Sequence, residues 1–80
     1  MTQEETKAKV DALLTKHYQE TFSMRVATKL AILSLTKTIE ALEAVLKHDK
    51  ERYGIVSRGA TIVISEHQAI KEILEKRLAK

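Results

Sequence analysis

Ile32, Leu35, Ile39, Leu42 and Leu46 follow one another at steps of three, four, three and four residues. Such alternation averages 3.5 residues per repeat, so five large aliphatic side chains form one seam along an α-helix. The seam predicts a long central helix over about residues 24 to 52, roughly 43 Å at 1.5 Å per residue. Ile at one core position and Leu at the other favour two-stranded packing. Met24, Ala27, Ala31 and Val45 widen the same face, while Val26, Leu30 and Leu33 make a second stripe on the far side, confined to the N-terminal half. A helix apolar on two sides needs cover on two sides. The first helix is expected to supply one cover, and the third helix or a second copy of the chain the other. The seam therefore has two readings, an internal core between helices 2 and 3 or the self-association surface of a homodimer. The second stripe favours the homodimer.

The flanking segments also read as helices. Thr2-Gln3-Glu4-Glu5 is a capping box, with acidic residues where the helix dipole favours them. Beyond it Val10, Leu13, Leu14, His17, Tyr18 and Thr21 share one face, predicting helix 1 over about 3 to 20. Thr21, Phe22 and Ser23 interrupt that pattern without glycine or proline; a turn capped by Ser23 is expected, with a kinked or continuous helix as the alternative. Gly54, just after Lys50-Glu51-Arg52-Tyr53, is a C-terminal signal and places a second turn at about 53 to 57.

The last segment is ambiguous. Ala60-Thr61-Ile62-Val63-Ile64 is β-branched and suits a strand. An isolated five-residue strand has no sheet to join in so short a chain, so a helix over about 57 to 79 is preferred. On that helix Val56, Ala60, Ile62, Val63, Ala69, Ile70, Ile73, Leu74 and Leu78 share a broad apolar face, Ile64 falls outside it, and Gly59 near its middle admits a close neighbour. Glu72 and Lys76 stand four apart in the favourable order. The expectation is one all-α domain over residues 1–80, a three-helix antiparallel array with a long central helix, assembling as a helical-bundle dimer.

Composition fits this reading. Of 80 residues, 44% are hydrophobic and 31% charged, the balance of a folded chain rather than a disordered one. Only Tyr18, Phe22 and Tyr53 are aromatic, so the core must be aliphatic. There is no proline to oppose helix and no cysteine to supply a disulfide or thiolate ligand. A domain this small is marginal without a staple or a partner. The polar start Met1-Thr2-Gln3-Glu4-Glu5 has no apolar stretch behind it, and aliphatic runs such as Leu30 to Leu33 and Ile62 to Ile64 are short. Neither a secretory leader nor a membrane span is expected; a cytoplasmic protein is.

No constellation for catalysis stands out. His17-x-x-Glu20 and His48-x-x-Glu51 each put two ligand types on one helical face, but a di-iron bundle needs the opposite order twice, with two more carboxylates. Metal and cofactor are expected to be absent. His17 and His67 lie on predicted apolar faces, where a hydrogen-bonded boundary residue is the ordinary role. Glu40 and Glu43 face away from the seam without a concave, dry setting for acid–base work. No serine stands beside a base, and two glycines are too few for a phosphate loop. Lys47, Lys50, Arg52 and Arg58 gather around the second turn, diluted by Asp49 and Glu51. They are candidate contacts for nucleic-acid phosphate or an acidic protein, although the net charge of +3 is only mildly basic. The expected function is a non-enzymatic interaction or regulatory module with a protein partner, with nucleic-acid binding through the basic hairpin as the alternative.

Overall fold

The computed structural model describes residues 2–79, and 91% helix leaves among them no strand to argue over. The chain forms three helices, α1 (Gln3–Thr21), α2 (Met24–Tyr53) and α3 (Arg58–Ala79). Thr2 and Ser23 act as N-caps, Thr2 through one of the two bonds of the expected capping box. The Glu5 amide donates to the Thr2 hydroxyl at 3.2 Å, and the Val26 amide to the Ser23 hydroxyl at 3.3 Å. Ser57 caps α3 by accepting from the Ala60 amide at 3.2 Å. Residues 60 to 64 are therefore helical, the preferred of the two readings.

Both turns use left-handed backbone. Gly54 at φ 66 ends α2, and its amide reaches the Lys50 carbonyl at 3.0 Å. Phe22 at φ 55 ends α1, with its amide donating to the Tyr18 carbonyl at 2.7 Å. A bulky residue there carries strain that glycine would not. The Phe22 ring is 80% exposed and meets only the edge of Tyr18, with centroids 6.5 Å apart, so core packing does not offset that strain.

The core is aliphatic and lies where all three helices meet. Val10 and Leu14 of α1, Ala31 and Leu35 of α2, and Ile70 and Leu74 of α3 form its centre, with Leu13, Ile32 and Ile73 packed against it. Ala27 and Ala31 are fully buried, their small side chains letting a neighbouring helix approach closely. Buried Thr28 returns its hydroxyl to the Met24 carbonyl at 2.7 Å. At the rim Lys9 meets Glu66 at 3.4 Å and Arg77 meets Asp11 at 3.3 Å, two exposed pairs that tie α1 to α3 but contribute little stability.

The helices are unequal, and that sets the shape. At 1.5 Å per residue α1 reaches about 28 Å and α2 about 45 Å. The molecule measures 45 × 24 × 21 Å, with a radius of gyration of 14.3 Å. A compact chain of this length would have about 12 Å. The excess comes from the α2–α3 hairpin, which runs past the start of α1. From residue 40 to residue 63 no side chain is buried. The chain is thus a three-helix body continued by a two-helix arm.

Three expectations for helix packing need correction. Ile64, expected outside the apolar face of α3, is buried at 9% exposure, whereas Ile62, placed inside it, is 58% exposed. With α1 absent beside the arm, only the side of α3 that touches α2 is covered, and Ile64 is on that side. Gly59 has no close neighbour, since a Cβ added there would meet only the Ser57 hydroxyl at 3.9 Å. Finally, α1 and α3 both pack on the seam side of α2, so neither covers the second stripe.

Candidate interaction surfaces

The seam residues divide between body and arm. Leu35 and Ile39 are buried, and Ile32 packs against the core. Leu42 and Leu46 are half-buried, because α3 covers one side and none of the described residues covers the other. Val45 and Met24, expected to widen the seam, are exposed. Around Leu42 and Leu46 the arm also exposes Tyr53, Ile55, Val56 and Ile62. Tyr53 and Ile55 belong to the second turn, whereas Val56 and Ile62 were expected on the apolar face of α3.

The second stripe is the other uncovered surface. Val26, Leu30 and Leu33 point away from both neighbouring helices, and Leu33 is 49% exposed. On a helical projection they sit about 180° from Leu35, the centre of the buried face. Contiguous apolar surface on a small chain marks an interaction site more often than scattered single residues do.

Lys47, Lys50, Arg52 and Arg58 all lie at the tip of the arm and are all exposed. Among the described residues none of the four takes part in an ion pair; Asp49 is engaged by His48 at 3.4 Å instead. The Arg52 guanidinium lies 5.7 Å from the centroid of the exposed Tyr53 ring, and His48 meets that ring edge-on at 6.3 Å.

Two concavities flank the core. Glu40 and Glu43, expected to stand without a concave setting, line a groove of about 470 Å³ between α2 and α3 together with Lys71, Glu72 and Glu75. Four carboxylates from two helices, far apart in sequence, meet only through the tertiary fold, so no local motif announced them. An open cleft of about 820 Å³ lies at the opposite end, with buried Leu14 and Thr28 beneath and Arg25 and Arg77 at its sides. Among the described residues no three histidine or carboxylate groups converge as metal ligands do. His67 donates from Nδ1 to the Val63 carbonyl at 2.8 Å, the boundary role expected of it. His17 differs: its Nδ1 is buried without a hydrogen-bond partner, with the Glu20 carboxylate 3.9 Å away. Among the described residues no helix is long and apolar enough to cross a membrane.

No protein-family model, curated protein or solved structure matches the chain.

Proposed function

We propose that this protein is a non-enzymatic interaction module that works as a homodimer through helical packing. One observation carries the reading: α2 is apolar on two sides, and the described residues cover only one of them. Water against Val26, Leu30 and Leu33 costs free energy that a second helix would recover at roughly 25 cal/mol per Å². Sedimentation equilibrium and thermal melting across a hundredfold dilution test it. A mass near twice the 9.1 kDa of one chain, and a melting temperature that falls on dilution, are expected. A 9.1 kDa species with a concentration-independent melting temperature overturns the proposal.

The basic tip supports a second reading, contact with nucleic acid or an acidic protein. What favours it is that Lys47, Lys50, Arg52 and Arg58 are exposed without ion pairs beside the open ring of Tyr53. A labelled duplex or single strand should then bind with an affinity that falls linearly on a log–log salt plot, and Lys50→Glu with Arg52→Glu should abolish binding. Binding unchanged by that pair of substitutions would remove the tip from consideration.

A further inference from the structure

We infer that the second stripe of α2 pairs with the same stripe of a second copy in antiparallel register, centred near Leu35, with Lys29 of each chain against Glu40 of the other. The inference rests on the homodimer reading above and specifies its interface.

The stripe continues past Leu33 in altered form. Projected at about 100° per residue, Lys37, Ala41 and Ala44 fall within about 60° of the line through Val26. The face is therefore large and aliphatic in its first half and small in its second, and all of these residues are exposed. An antiparallel partner sets large against small. Val26 of one copy meets Ala44 of the other, Leu30 lies over Ala41, and Leu33 lies along the aliphatic stem of Lys37, whose ammonium reaches solvent. Two-fold symmetry repeats every contact.

Charge selects the same arrangement. Lys29 and Glu40 both lie about 40–60° to one side of the Val26 line, and neither is in an ion pair among the described residues. Antiparallel packing brings like edges together, so each Lys29 faces the other chain's Glu40. Parallel packing in register would instead oppose Lys37 to Lys37 within the seam. It would also leave alanine against alanine over the second half. Like charges so placed disfavour that mode.

A charge-reversal cycle tests the register, because the altered side chains are exposed and leave the core intact. Lys29→Glu and Glu40→Lys should each weaken the homodimer about tenfold, since each turns two symmetry-related pairs repulsive. Mixing the two variants should restore association as a heterodimer, in which both pairs are again opposite in sign. Helix content by circular dichroism should match the parent in every case. If the parent dimerises but either variant alone dimerises as tightly, or the mixture gains nothing, the register is wrong while the homodimer reading stands. If the parent is monomeric throughout, both fail.

Discussion

Body and arm are made from the same two helices and the same residue types, yet they differ in what they bury. Each turn of α2 from Ala27 to Ile39 carries a buried residue; from residue 40 to residue 63 there is none. Hydrophobicity does not explain the difference, because the arm holds Leu42, Val45, Leu46, Ile55, Val56, Ile62 and Val63. The number of helices does. Two packed helices bury only the strip between them, whereas a third helix laid in their groove closes the sides. In the body α1 supplies that third helix, and in the arm none of the described residues does. An aliphatic residue of the hairpin is thus buried where α2 and α3 face each other closely or where α1 reaches it, and is left exposed elsewhere.

The comparison breaks most visibly at the point where body becomes arm. Ile39 is buried at the last position before the unburied stretch. Ile39→Ala should cost roughly 2–5 kcal/mol in urea denaturation, from lost burial and the cavity left behind. That is a large share of the roughly 5–15 kcal/mol of an ordinary domain. Ile39→Asp should prevent folding, because it strands a charge in an apolar seam; a variant as stable as the parent would remove Ile39 from the core.

A smaller effect separates the two glycines of the arm. Gly54 holds φ 66 in open space, so Gly54→Ala should destabilise by about 1 kcal/mol through backbone strain alone. Gly59 lies in the first turn of α3 without positive φ or a close neighbour. Gly59→Ala should therefore stabilise by about 0.5–1 kcal/mol through helix propensity. Opposite shifts in melting temperature are expected, and shifts of one sign would contradict the backbone assignment. Smallest of all, Val45→Ala and Ile62→Ala should each change stability by less than about 0.5 kcal/mol, as exposed positions do. A loss as large as that of Ile39→Ala would mean that the arm is covered.

Most of the fold was legible because the signals for it are local. The three-four spacing from Ile32 to Leu46, the caps at Thr2 and Ser23 and the glycine at 54 act within one helix or turn, and the three helices follow from them. The interior of α3 was less legible. Ile62, Val63 and Ile64 are consecutive and spread over about 200° of the helix, so no periodicity chooses among them. Which one is buried depends on where α2 lies and on α1 stopping short, and neither is written locally. The acidic groove joining Glu40 and Glu43 to Glu72 and Glu75 escaped for the same reason. The second stripe was visible as a stripe; that it stays uncovered emerged only when α1 and α3 were both found on the other side.

The division of labour is tested most directly by native-state hydrogen exchange at two protein concentrations a hundredfold apart. Amides of α2 from Ala31 to Ile39 should be strongly protected at both, because the body completes its own core. Under the proposed dimer, amides from Ala41 to Lys47 should exchange faster at the lower concentration and gain protection at the higher one, where a second copy would cover Ala41 and Ala44. Protection of the arm equal to that of the body at the lower concentration, or unchanged between the two, would contradict the account.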